Sequence, residues 1–264
     1  MSPAEPFRVD VAERVATVTL HRPHRLNALL WETYEALRDF FRRHAKDESV
    51  RAVVLTGAGR GFCSGGDVRE VIGELVTAKP ARILEFNRLA CDVVLAVRKA
   101  PQPVIAAVNG VAVGGGAVLA LACDLRLGSP EAKVAFAFPR VGLSGADMGA
   151  CWLLPRVVGL GRATDWLLTG RVVDPPEALA AGFYSRVVPA ESLLADAGET
   201  ALRIAHGPRD AAAVTKRMLD GEHGMTLEQS LHADAALQSA FMDREDFREA
   251  YRAFLEKRDP RFTS

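Results

Sequence analysis

Two glycine-rich segments of this chain have the make-up of an anion site: CSGGD at residues 63–67 and GGG at residues 114–116. Each follows a short apolar run, AVVLT at 52–56 and PVIAAV at 103–108, and each opens a segment with helical spacing. Glycine lets backbone N–H groups turn toward a ligand and approach it closely. The first N–H groups of a helix have no intrahelical partner and carry partial positive charge. Two such turns brought together make a site for an oxyanion. The plain alternative is a pair of tight turns that packing requires. Neither segment ends in Gly-Lys-Ser/Thr like a phosphate loop, and neither has a dinucleotide G-x-G-x-x-G in its proper context.

Among the acids, Asp147 stands out in the apolar, glycine-rich stretch GLSGADMGACWLLPRVVG, just before a helical segment. On pattern alone it reads as an N-cap, because an aspartate there accepts from backbone N–H groups. Asp67 reads as a helix cap or loop organiser, and Asp124 as a structural residue. His21 and His24 lie in an N-terminal loop; His44, His206, His223 and His232 have no ligand spacing. Trp152 and Trp166 read as core residues. The four cysteines are scattered, without metal spacing, and read as thiols of a reducing cytosol.

The elements that must position these groups alternate. Residues 7–11 and 15–20 read as a hairpin, and Asn27 as the N-cap of a helix running to about Ala45. Strands follow at 52–56, 103–108, 125–127 and 134–138. Helices are expected at 81–97, after each glycine turn, and at 152–158, 163–168 and 176–181. Beyond Ser192 the pattern is almost wholly helical, at 193–206, 211–219, 227–241 and 246–257. This predicts an α/β core over residues 1–191 and a helical region over 192–264. The 264 residues carry 33 basic and 33 acidic side chains. That balance argues against nucleic acid as the main partner. The longest apolar runs are too short and glycine-rich to span a bilayer. The start shows no signal or transit pattern, so a cytoplasmic location is expected.

HRPHRLNAL, AVVLTGAGRGFCSGGD, PQPVIAAVNGVAVGGG, LLTGRVVDPPEALAAGFYSRVVP and FLEKRDPRF resemble, in order and spacing, segments of the crotonase superfamily of enoyl-CoA hydratases and isomerases. The resemblance covers nearly the whole chain. It implies a spiral of ββα repeats with a C-terminal helical trimerisation region, forming trimers or dimers of trimers. It implies an acyl-CoA thioester as substrate, with coenzyme A entering only as part of it and no further cofactor or metal. By position, the N–H groups of Gly66 and Gly115 would hold the thioester oxygen. Arg25, Leu26 and Ala28 would line coenzyme A together with Ser64, Gly65, Asp67 and Val68. Phe241 and Lys257 fall where the family's tail touches it, in some members across a subunit boundary.

The chain departs from the hydratase pattern at both acids. The glutamate on the helix after GGG is replaced by Val118, and the one after a proline by Arg140. Glu131 lies in a turn and reads as a solvated charge. The run from Asp147 to LLPR is similar to the phenylacetate-pathway isomerases, where an aspartate at this place moves protons. Dehalogenases of the superfamily use an aspartate here as nucleophile, with a histidine where this chain has Cys91. The reading is therefore an isomerase that shifts a double bond with Asp147. The alternatives are a hydratase with noncanonical acids, a dehalogenation or C–C cleavage, and a non-catalytic acyl-CoA-binding subunit. Arg140 is expected either to pair with Asp147 or to meet an acidic acyl group, against the plain reading of a surface salt bridge.

Overall fold

The alternating runs at the N-terminus pair as β1 (Phe7–Ala12) and β2 (Val15–Leu20), antiparallel, in the computed structural model of the chain, which describes residues 6–45 and 47–264. Glu13 and Arg14 close the hairpin with φ of 48° and 66°. Two central residues at positive φ are what a turn matching the strands' right-handed twist requires. Helix α1 (Trp31–His44) then returns the chain to β3 (Ala52–Gly57), parallel to β2.

From β3 onward the chain repeats a strand, strand, helix unit three times. The first comprises β3, β4 (Gly61–Cys63), the π-helical turn Val68–Ile72, α2 (Gly73–Thr77) and α3 (Pro80–Lys99). The second comprises β5 (Val104–Val108), β6 (Val111–Val113) and α4 (Gly115–Ala122). The third comprises β7 (Leu125–Gly128), β8 (Val134–Ala135), the 3₁₀ turn Phe138–Val141 and α5 (Ala150–Val158). First strands enter a six-stranded sheet of order β1-β2-β3-β5-β7-β9, and second strands a three-stranded sheet of order β4-β6-β8. All strand pairings after the hairpin are parallel, so each unit steps sideways in both sheets and the chain advances as a spiral. The remaining elements are α6 (Leu160–Thr169), α7 (Pro175–Ala180), β9 (Arg186–Val187), α8 (Leu193–Ala205), α9 (Arg209–Gly221), α10 (Leu227–Met242) and α11 (Glu245–Glu256).

Both faces of the large sheet are covered, which is why β3 and β5 read as continuous apolar runs. Alternate residues divide between two cores. Val53, Leu55, Val104 and Ala106 face the main core with the helices of the spiral. Val54, Ile105, Ala107 and Leu127 face Leu193, Ala197, Ala201 and Ala205 of α8. Those residues recur every four positions on one helix face, and the alanines let α8 lie close to the sheet. Helix α8 thus follows the expected boundary at residue 191 yet forms a layer of the core.

Helix α9 is pinned differently. Lys216 on it is buried, and its Nζ donates to Val97 O (2.9 Å) and Gln102 O (3.0 Å) while pairing with Asp124 (2.8 Å). Asp124 also accepts from Val104 N (2.8 Å) and Arg98 (3.1 Å), in keeping with its structural reading. Helices α10 and α11 instead leave large apolar side chains in the open, among them Leu227, Leu231, Tyr251, Phe254 and Leu255.

Several expectations are corrected. Residues 61–63 and 111–113, read as loop and turn, are strands of the second sheet, and the strand expected at 134–138 ends at Ala135. Asn27 does not cap α1, whose N-cap is Leu30. It sits at φ 55° with its amide donating to Ala58 O (2.9 Å) and Gly61 O (2.7 Å), fastening the N-terminal loop to β4. Trp166 is wholly buried, but Trp152 is 45% exposed, with the Arg156 guanidinium 3.7 Å from its ring centre.

Candidate active site

The first glycine turn is held by the N-terminal loop. Ser64 N donates to Leu26 O (3.0 Å), Leu29 N to Gly65 O (2.8 Å) and Asp67 N to Leu29 O (2.9 Å). The Ser64 hydroxyl reaches Arg25 O at 3.3 Å. Leu29 thereby engages the carbonyl before Gly66 and the amide after it. The Gly66 N–H points to the opposite side, and among the described residues it donates to no protein acceptor. Asp67 accepts from Arg69 N (3.0 Å) and Glu70 N (3.1 Å), so it caps the next helical turn as its type predicts.

The second turn abuts the first. Gly65 has φ +87°, and a Cβ on it would lie 2.9 Å from Val113 O and 3.2 Å from Gly115 N. A Cβ on Gly116 would lie 2.1 Å from Cys63 O, so only glycine lets α4 begin this close to β4. Gly115 is the first residue of α4, and its N–H has no intrahelical acceptor. The strand ends of the small sheet thus bring the two free amides to one place. The turns expected to converge do so.

Asp147 lies on the turn before α5, next to Met148, which reaches the second glycine turn. The N-cap of α5 is Gly149, not Asp147; the Asp147 backbone carbonyl accepts from Ala150 N (2.8 Å), and the nearby Met148 backbone amide favours the ionised carboxylate. Met148 and Gly149 hold φ of 47° and 84°, two successive left-handed residues that set the direction of the aspartate. Met148 is buried, with its sulfur 3.3 Å from the Cβ position of Gly115. Partial burial pushes the Asp147 carboxyl above the ordinary aspartate range, and the Met148 amide offsets this only in part. Its charge acts on two neighbours. The Tyr34 phenol is pushed up by burial, then by Cys63 and Asp147, and the Cys91 thiol by desolvation, then by Asp147 and Asp92.

Val118 and Arg140, expected at the places of the hydratase acids, lie on different elements. Val118 is fully buried on α4. Arg140 is exposed on the 3₁₀ turn and, among the described residues, forms no ion pair. The expected pairing of Arg140 with Asp147 is not made. Glu131 is exposed.

Of the residues expected to line coenzyme A, Arg25, Leu26 and Ala28 lie on the N-terminal loop, and Ser64, Gly65, Asp67 and Val68 on the first glycine turn that this loop holds. Arg25 and Val68 are exposed, Leu26 and Ser64 half-buried, and Ala28 and Asp67 buried. Phe241 and Lys257 lie elsewhere: Phe241 lines a cavity of about 760 Å³ among α9, α10 and α11, and Lys257 is exposed at the end of α11. Sequence reasoning singled out neither Tyr34, whose hydroxyl lies at the glycine turns, nor Arg22, which pairs with Asp67. The heptad-like burial of α1 signals Tyr34 only as a core residue, and Arg22 only as a loop cation.

A family model described as enoyl-CoA hydratase/isomerase matches residues 10–264. The probable enoyl-CoA hydratase EchA12 of Mycobacterium tuberculosis is 40% identical over 255 residues, covering 94% of this chain and 89% of that one. The 1,2-epoxyphenylacetyl-CoA isomerase of Escherichia coli K12 is 36% identical over 253 residues, covering 96% of each. A solved structure from Streptomyces coelicolor A3(2), provisionally named an enoyl-CoA hydratase, superposes with a TM-score of 0.95 at 49% identity, covering 100% of this chain and 96% of that one. With two free amides at converging glycine turns on a ββα spiral, and matches along almost its whole length, the chain belongs to the enoyl-CoA hydratase/isomerase family of the crotonase superfamily.

Proposed function

We propose that the protein is an acyl-CoA isomerase in which Asp147 removes a proton from one carbon of the acyl chain and returns it to another, while the Gly66 and Gly115 N–H groups hold the thioester enolate. The observation that carries this is the pairing of a partly desolvated carboxylate at Asp147 with a buried valine at 118 and an exposed arginine at 140. A double-bond shift needs one base that becomes the acid. Hydration also needs water activated at the second carbon, and neither replacement side chain activates water. The N–H groups act where charge develops, and this lowers the barrier to enolate formation. A carboxyl raised toward the working pH is a stronger base than an ordinary aspartate once ionised. The name of the Escherichia coli relative supports an isomerase; that of the Mycobacterium relative favours the second reading, a hydratase using noncanonical acids.

The exposed apolar side chains of α10 and α11 support a trimer or dimer of trimers, in which Phe241 and Lys257 reach a partner's coenzyme A. The test of function compares substrates. The protein should convert 3-enoyl-CoA to 2-enoyl-CoA and hydrate crotonyl-CoA at least about 100-fold more slowly. Rapid hydration of crotonyl-CoA would reverse the assignment in favour of a hydratase.

A further inference from the structure

On α1 the main core carries a tyrosine whose hydroxyl position packing alone does not explain. Tyr34 lies on the inward face of α1 with Thr33, Leu37, Phe40 and Phe41, and its residue exposure is 2%. Phe86 of α3 meets its ring edge-on at 5.2 Å between centres, which fixes the ring plane. Its hydroxyl makes no hydrogen bond to the protein among the described residues, and its oxygen is not fully enclosed, so it stays open to a partner from outside the chain. Buried phenols ordinarily find a partner. The other buried tyrosine does: Tyr184 donates to Ala132 O at 2.7 Å.

The Tyr34 hydroxyl points instead at the two glycine turns. It lies 3.2 Å from the Cβ position of Gly115 and 3.6 Å from that of Gly66. These are the residues whose amides are free. We propose that Tyr34 is a third hydrogen-bond donor to the thioester oxygen, and hence a catalytic residue contributed by α1. The assignment rests on Gly66 and Gly115 forming the oxyanion site. Burial and the nearby Asp147 charge keep the phenol protonated throughout the working range, so it acts as a fixed donor and not as a proton carrier.

The test is the carbonyl stretch of a non-reacting thioester, ¹³C-labelled hexanoyl-CoA, bound to the full-length protein and read by infrared difference spectroscopy. Wild type should lower the band well below its position in free ester. Tyr34→Phe keeps the ring and its contact with Phe86. It should bind the ester within about threefold of wild type, move the band back toward the free position, and reduce kcat on 3-hexenoyl-CoA by about 100-fold. A Tyr34→Phe protein with the wild-type band position overturns the proposal, whatever its turnover. Replacing Tyr34 by 3-fluorotyrosine, a stronger donor of nearly the same shape, should lower the band further; an unmoved band overturns it too, even where the Phe variant folds poorly. The underlying reading fails differently: a wild-type band at the free-ester position refutes the oxyanion site itself. Asp147→Asn should leave the band in place, so loss of the aspartate's role would not be mistaken for loss of the tyrosine's.

Discussion

Arg22 Nη1 lies 3.0 Å from Asp67 Oδ2, and the same nitrogen donates to Ala28 O at 2.8 Å. One guanidinium thus ties the loop expected to line coenzyme A to the carboxylate that organises the first glycine turn. Both side chains are largely buried. Arg22→Met should destabilise the protein by about 2 kcal/mol, because a charge-assisted pair is lost and the Asp67 carboxylate keeps only its amide donors. It should also raise KM for acyl-CoA more than it lowers kcat, since the rim is loosened more than the N–H groups. Urea unfolding and steady-state kinetics check the two parts. Burial pushes the Asp67 carboxyl up, but the amides of Glu70 and Arg69 together with Arg22 outweigh it and leave it below the ordinary range. A depressed folded value means this stability is present above the unfolded aspartate pKa and is lost as pH falls through the folded one. Arg22→Met should therefore narrow the gap between neutral and acid stability.

The two glycines of the first turn should respond oppositely to alanine. Gly65→Ala places a Cβ 2.9 Å from Val113 O at φ +87°, so it should push the turns apart and destabilise by about 1–2 kcal/mol from the left-handed backbone alone. Gly66 has room: its nearest neighbours to a Cβ are at 3.6 Å or more. Gly66→Ala should fold normally, whereas Gly66→Pro, which deletes the N–H, should lose about 3 kcal/mol of transition-state stabilisation. Equal turnover by folded Gly66→Pro and wild type would remove Gly66 from the site.

Lys216 gives a test of the tail that is independent of catalysis. Lys216→Met keeps the aliphatic stem but strips Val97 O and Gln102 O of a donor and Asp124 of one of its two cations. Removing one member of a buried pair costs about 3 kcal/mol or more. Thermal unfolding should show it, with hydrogen exchange in α9 rising before that in β3 and β5. A variant as stable as wild type would mean that α9 is held by its other contacts, the Arg98–Asp220 ion pair among them.

The sheet and the two turns were legible in the sequence because strand periodicity and glycine clustering are local signals. Val53 and Val54 announce a doubly covered strand, and GGG announces a helix start that something approaches closely. The small sheet was not legible: Gly61–Cys63 and Val111–Val113 are three-residue strands defined by neighbours far along the chain. Asn27 looked like a cap because its type suits one, yet its amide serves β4. Asp147 looked like a cap for the same reason, yet the left-handed pair Met148–Gly149 puts the N-cap of α5 at Gly149. Tyr34 was invisible because a buried aromatic on an amphipathic helix carries no sign of where its hydroxyl points. The missing Arg140–Asp147 pair could not be foreseen, since it depends on the 3₁₀ turn that carries Arg140 to the surface.

Asp147 is where the chemistry is decided, and its titration gives a directional expectation. The raised folded value means ionisation destabilises the folded state as pH rises from the unfolded aspartate pKa through the folded one. Asp147→Asn should therefore be no less stable than wild type at neutral pH, and the acid limb of wild-type kcat/KM should lie above the ordinary aspartate range. The direct measurement is exchange of the α- and γ-protons of a bound enoyl-CoA in heavy water, followed by NMR. Wild type should exchange them, and folded Asp147→Asn, still binding the thioester, should do so about 100-fold or more slowly. Exchange at the wild-type rate in the Asn variant would contradict Asp147 as the proton carrier.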